Sequence, residues 1–262
     1  MKVLPITNKQ KIILLLLFRF RFLNRIHIQK LLKHKQHNRI NTWLKDLTEK
    51  QYIARIINDQ STIHNIPAIY HLTKNAIPFL RTQTSCEKSY LNKLYREHKR
   101  SKYFIHDECM FTADIYLSLL NKYESIPEFE FYTPSDYTRN GIVKEIFPLF
   151  VFRRKKEESY HIVEMFRERI PRDRALYPRL GKYLTTFTKA PWIKHEKPPV
   201  LLFICPDKKI QKSVVSFVRE YMEEEGITGL KVYVGQKADV KKKGVEGEVW
   251  RRITATRSTL QG

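Results

Sequence analysis

HNRINTWLKDLTEKQYIARIINDQSTIHNIPAIYHL, residues 37–72, is the stretch on which the fold turns. Its first part places Ile40, Trp43, Leu44 and Leu47 at i, i+3, i+4 and i+7, one apolar face of a helix over residues 38–50. Arg39, Asn41, Thr42, Lys45 and Asp46 fall on the opposite face. Gln51 and Tyr52 lead into a strand over 53–57, rich in β-branched residues that suit a pleated, half-buried surface. The polar run NDQSTIHN, residues 58–65, reads as a turn. PAIYHL, residues 67–72, reads as the strand returning from it.

Upstream, Thr7 or Asn8 caps a first helix over 8–20. It is apolar nearly all round, which suits a buried helix. Its core IILLLLF, residues 12–18, is bracketed by Lys9, Lys11, Arg19 and Arg21. A membrane span takes about 20 apolar residues, so a buried helix is the better reading. No small-residue cleavage site follows it, which argues against a signal peptide. Asn24 caps a second helix over 25–33, and His34-Lys35-Gln36-His37 turns the chain into the third. Downstream, Thr73 caps a short helix to Leu80 that Pro78 shortens or bends. Helix, helix, helix, strand, turn, strand, helix is the order of a winged helix-turn-helix, assigned to residues 1–84.

Residues 85–102 read as a basic helical linker. Its Lys93, Arg96, Lys99 and Arg100 are either a solvated helix face or a second phosphate-contacting patch. Residues 103–262 read as a second domain, of α/β (α+β) class with a mixed sheet. A helix over 102–122 leads into strands at 128–132, 144–152 and 159–166, with RRKKEE at a hairpin tip. A helix over 172–188, bent at Pro178, precedes the fully apolar strand 200–205, which should be central and buried. A helix over 208–225 and a strand over 230–234 follow, then a basic tail from Lys237 that is expected to be partly mobile.

The 262 residues carry 49 Lys and Arg against 27 Asp and Glu, a net charge of +22. A surface this basic suits a polyanion: nucleic acid first, an anionic membrane second. Residues 1–85 alone carry 15 basic and 3 acidic side chains. A major groove admits a helix, and Arg, Asn, Gln, Ser or Thr near its start read base edges. Arg39 can pair bidentately with guanine, Asn38 or Asn41 with adenine, while Thr42 and Lys45 suit phosphates. Gln60, Ser61, Thr62 and His64 in the turn can reach a minor groove or the backbone. The bland alternative is a set of ordinary exposed polar side chains, or a winged helix used for protein contacts. Double-stranded DNA is the expected partner. Cys86, Cys109 and Cys205 show no C-x-x-C spacing, so they read as reduced cytoplasmic thiols. The chain has no GxxxxGK[ST], GxGxxG or H-E-x-x-H motif, and His34 and His37 have no third ligand nearby. No cofactor is expected.

LTEKQYIARI, IYHLT and the helix ending in PFL together resemble the winged helix of the replication-relaxation family of plasmids and other mobile elements. Asn75-Ala76 stand where that family often has a glycine after LT. More distantly, His106, the strand IVEMF and the helix containing Lys182 and Tyr183 are similar to the family's second half. That similarity implies a restriction-endonuclease-like fold, in which one strand's acid and an acid-x-Lys on the next hold a divalent metal. This chain departs from the pattern. Leu149 follows Pro148 where an Asp is expected, and Phe166 takes the lysine position, leaving Glu164 with Glu168 and Asp173 nearby. The implied domain is catalytically degenerate, with Glu164 either a leftover of the pattern or an ion-pair partner of Arg167 or Arg169, and no catalytic or metal-binding residue is assigned. The expectation is a non-enzymatic DNA-binding protein, cytoplasmic and nucleoid-associated, and the resemblance implies a setting in replication control, transcriptional regulation or maintenance of a mobile element. A replication or nucleoprotein complex and a second copy of the chain are further candidate partners. Two alternatives stand: a metal-dependent DNA endonuclease with a rearranged site, and an adaptor subunit of a nucleoprotein machine.

Overall fold

Thr7 opens helix α1 (Asn8–Phe20) with a reciprocal cap, its side chain accepting from Gln10 N while the Gln10 side chain accepts from Thr7 N. Ile13, Leu14 and Leu17 are fully buried in that helix. The computed structural model describes residues 5–57, 67–84, 86, 88–100, 104–123, 129–136, 146, 148–154, 157–189 and 197–255, with backbone alone for 97–100, 104, 105 and 189. The chain divides into two compact units, Met1–Asn121 and Lys122–Gly262.

In the first unit a short strand β1 (Phe22–Asn24) follows α1 directly. Three residues are too few to show a period, so sequence alone gives no signal for it beyond two buried apolar side chains, Phe22 and Leu23. Asn24 ends the strand and caps α2 (Arg25–Leu31), accepting from His27 N at 2.8 Å. Then come α3 (His37–Glu49), β2 (Ile53–Ile56) and β3 (Ile69–Leu72). The sheet order is β1-β3-β2, with both pairings antiparallel, Phe22 opposite His71 and Ile53 opposite Leu72. A 3₁₀ turn over Lys74–Ala76 leads into α4 (Ile77–Gln83). Pro78 stands in the first turn of α4 and starts the helix instead of bending it, because an N–H is not needed there.

Two more helices follow, α5 (Lys88–Arg100) and α6 (Phe104–Tyr123). The apolar residues of α6 read equally well as the opening of the second domain. Its contacts decide otherwise: His106 packs on Phe22 with ring centroids 4.3 Å apart, Tyr116 on Phe20 at 5.2 Å, and Asp114 bonds His27 at 2.9 Å. The division between the units falls in the last turn of α6, where Lys122 and Tyr123 join the second unit.

Among the described residues the second unit has six strands in the order β4-β5-β6-β7-β8-β9: β4 (Phe129–Tyr132), β5 (Phe150–Arg154), β6 (His161–Met165), β7 (Val200–Cys205), β8 (Lys231–Gln236) and β9 (Arg251–Ile253). β6, β7 and β8 are parallel and the outer pairings antiparallel, so the sheet is mixed. Every residue of β7 is buried, as an unbroken apolar run requires. The parallel strands are joined by α7 (Tyr177–Lys189) and α8 (Lys208–Glu224). These helices touch each other, with Tyr177 stacked on Phe217 at 4.9 Å and Thr185 hydrogen-bonded to Tyr221 at 2.6 Å. A π-helical turn over Arg172–Leu176 precedes α7, and Pro178 sits in the first turn of the α-helix proper.

The tail from Lys237 is not a loose end over its described length. It forms α9 (Lys237–Lys243), and β9 then closes the sheet against β8. Val240, Val245 and Ile253 are buried, and Trp250 Nε1 donates to Val245 O at 2.7 Å. Three apolar residues spread through a basic stretch anchor it. The Trp250 ring lies so close to Gly235 that a Cβ there would meet it at 3.0 Å. Among the described residues no helix is long and apolar enough to cross a membrane.

Candidate nucleic-acid interface

The third helix is fixed on three sides before any of it meets solvent. Ile40, Leu44 and Leu47 are buried on its inner face. On the α1 side, Gln10 Nε2 donates to Asp46, and Lys50 Nζ donates to the same carboxylate at 2.7 Å and to Pro5 O at 2.9 Å. The Lys50 hydrogen bond outweighs burial and holds the Asp46 carboxyl below its ordinary range. Asp46, expected among the outward polar residues, is therefore a clamp between helices. On the α2 side, Gln29 Nε2 donates to His34 O at 3.2 Å and Lys35 O at 3.4 Å, and His34 meets Trp43 edge-on at 5.1 Å. Trp43 is half-buried by that contact, not part of the inner face.

Asn38, Arg39, Asn41, Thr42 and Lys45 are all exposed. At about 100° per residue, Asn38, Asn41, Thr42 and Lys45 share one stripe, with Arg39 at its margin on the Trp43 side. Two local contacts tune the stripe. Thr42 Oγ1 donates to Asn38 O at 3.1 Å, so its proton must leave that bond to reach a phosphate. Glu49 sits on the stripe 3.9 Å from Lys45 and opposes part of its charge. Gln36 makes no side-chain cap on α3, which leaves first-turn N–H groups for solvent or an anion.

Among the exposed cations of this unit that sequence reasoning passed over are Lys33 and Lys35 in the α2–α3 turn, and Arg55 on β2 opposite Tyr70. Lys33 adopts a left-handed φ of 48°, which turns the chain sharply between the helices. Gln60, Ser61, Thr62 and His64 lie outside the described residues. Lys93 and Arg96 are exposed on α5, and Lys99 and Arg100 continue that helix with their side chains outside the described set.

In the second unit Glu164 is buried on β6, and its partners differ from those expected. Arg179 Nη2 donates to it at 2.8 Å, and the Tyr183 hydroxyl donates to the same oxygen. Both come from α7, one turn apart, which places them over the strand. Arg167 and Arg169, just past the strand, are exposed. Burial works against the Arg179 charge, but Glu164 outweighs it and the guanidinium pKa moves up. Leu149 N donates to Val163 O at 2.8 Å, and Phe166 packs on Phe203 at 5.5 Å. Among the described residues no three His, Cys, Asp or Glu side chains converge as a metal ion would require. Burial pushes the Cys109 and Cys205 thiols up to about 12, which keeps them protonated and poorly nucleophilic.

No protein-family model matches the chain, and no curated protein does. Among solved structures, that of a ZitR mutant from Lactococcus lactis is similar at 19% identity over 48% of this chain and 80% of that one, with a TM-score of 0.28. A likeness at that level assigns neither fold nor function.

Proposed function

We propose that the first unit is a winged helix-turn-helix that binds duplex DNA through α3, and that the protein acts in replication control or transcriptional regulation of a plasmid or mobile element. In this reading it is kin to the replication-relaxation family. The second unit is a catalytically degenerate, restriction-endonuclease-like domain that serves as scaffold or partner dock. The observation that carries the reading is α3 itself. Its inner face is locked, while Asn38, Arg39, Asn41, Thr42 and Lys45 are exposed in a unit of strongly basic composition. A helix held this way offers base-reading and phosphate-binding groups to a major groove without reorganising. The engagement of Glu164 by Arg179 and Tyr183 supports the non-enzymatic reading, because the oxygen bound to both is already taken up.

The test is capture of genomic fragments by the full chain, followed by footprinting and binding titrations on the recovered site. Arg39→Ala should weaken site-specific binding by about 1–3 kcal/mol and relax one base position. A uniform loss on all sequences would make Arg39 a phosphate contact, as its marginal place on the stripe also allows. No salt-dependent duplex binding at all would overturn the reading.

A further inference from the structure

The three parallel strands of the second unit end together. Met165 of β6 lies opposite Ile204, and Cys205 of β7 opposite Gln236 of β8, while Phe166 N bonds Ile204 O at 2.9 Å. The antiparallel β9 begins at this same edge, with Arg251 opposite Val234. Ligands of open α/β sheets bind outside the carboxyl ends of parallel strands. Here the segments leaving those ends carry exposed cations: Arg169, Arg172 and Arg174 after β6, Lys208 and Lys209 after β7, and Arg251 entering β9.

The acids in these segments are fewer. Glu168 and Asp173 are exposed among the arginines, Glu248 is exposed three residues before Arg251, and Asp207 is spent capping α8 through Ile210 N at 2.8 Å. Arg169 holds a left-handed φ of 57°, and Arg172 and Arg174 lie in the π-helical turn that leads into α7. Neighbouring strands lie about 4.8 Å apart, so β6 to β9 spans roughly 14 Å. Phosphates of one DNA strand rise about 3.4 Å each along the duplex axis and also wind around it, so the row is long enough to meet more than one of them. Guanidinium groups, which dominate the row, match phosphate oxygens bidentately.

We infer that this edge of the second unit is a separate DNA-backbone-binding surface, which grips phosphates without reading sequence. A lipid surface fits less well. The exposed large apolar side chains among the described residues are Ile12, Ile26 and Ile57, all in the first unit, so the described residues of the second unit offer none to insert into a bilayer. The inference deepens the DNA-binding reading and rests on it for the identity of the polyanion.

The experiment uses the full chain and a labelled random-sequence duplex, titrated between about 50 and 200 mM NaCl. Arg169→Gln, Arg172→Gln and Arg174→Gln combined should bind at least about tenfold more weakly at the low-salt end. The slope of log affinity against log salt should fall by about 2–3, at about 0.9 per lost phosphate contact. The same three positions changed to Lys should keep most of the affinity, which separates charge from damage to the fold. Wild-type affinity and slope in the Gln variant, with binding still lost on changing α3, would overturn this inference and leave the first reading standing. Loss in the Gln variant with no effect of α3 changes would do the reverse. Displacement of the duplex from this edge by anionic phospholipid vesicles, in wild type but not in the Gln variant, would overturn the choice of DNA as occupant. Absence of any duplex binding by the wild type would overturn both.

Discussion

Removing either partner of Glu164 should cost the second unit a large part of its stability. The carboxylate is about 5% exposed, and the Arg179 side chain about 46%. Breaking a fully buried ion pair by deleting one member costs about 3–5 kcal/mol, because the other charge is left unpaired. Water can replace part of a half-exposed guanidinium, so Arg179→Ala belongs below that range, at about 2–3 kcal/mol after allowance for screening. Tyr183→Phe removes one hydrogen bond to a charged group, worth about 1.5–3 kcal/mol. Its ring can keep the edge-on contact with Phe203 at 5.7 Å, and Tyr183 is too buried for water to substitute for the hydroxyl. The two single changes should therefore be similar in size. Glu164→Leu combined with Arg179→Leu should recover much of the loss, since an apolar pair avoids the buried charge. Urea unfolding monitored at constant m-value reads all three variants. Losses under about 0.5 kcal/mol in both single variants, within the range of surface changes, would refute the clamp. So would Mn²⁺ that raises the melting temperature of the wild type but not of Glu164→Gln, for that result makes Glu164 a metal ligand.

Two further predictions concern other clamps. Asp46→Ala should cost about 1–2 kcal/mol through Gln10 and Lys50, below the full range for a lost charged hydrogen bond because the carboxylate is partly exposed to screening water; it should also weaken duplex binding although Asp46 faces α1, and unchanged binding would mean that α3 needs no such support. His161, stacked on Phe152 at 4.7 Å and facing Arg154, Glu157 and Glu246, has its pKa lowered by burial to about 4. Between that value and the unfolded value of about 6.5 the unfolded chain binds more protons. The stability tied to neutral His161 is thus complete above pH about 6.5 and lost as pH falls toward 4, up to about 3 kcal/mol. His161→Phe should flatten that part of the stability profile, and an unaltered profile would place the titration elsewhere.

Where a residue pattern is local, it was legible. The spacing of Ile40, Leu44 and Leu47 placed α3 to within a residue at each end, and the apolar run of β7 placed that strand without error. The Thr7 and Asn24 caps were equally readable, because a cap is a contact over three residues. Asp46 shows the limit. Helical spacing puts it outside Leu44 and Leu47, yet Gln10, 36 residues earlier, turns it into a tie between helices. Glu164 shows the same limit from the other side. A search near it in sequence suggests Arg167 or Arg169, but its partners stand on α7, 15 and 19 residues later.

The sequence alone therefore determined most of the elements, though not β1, α9 or β9, together with the mixed character of the second sheet and the polar composition of α3. Each of these follows from periodicity, propensity and charge within a few turns of chain. Tertiary structure decided which unit claims α6, which polar residues face solvent and which become clamps. It also put Arg169, Lys208 and Arg251 at one end of the sheet, through the parallel register of β6, β7 and β8 and the antiparallel return of β9. On α3 it narrowed the central stripe to Asn38, Asn41, Thr42 and Lys45, with Arg39 at the margin. Burial and hydrogen bonding act between residues far apart in the chain, and no local pattern records the partner.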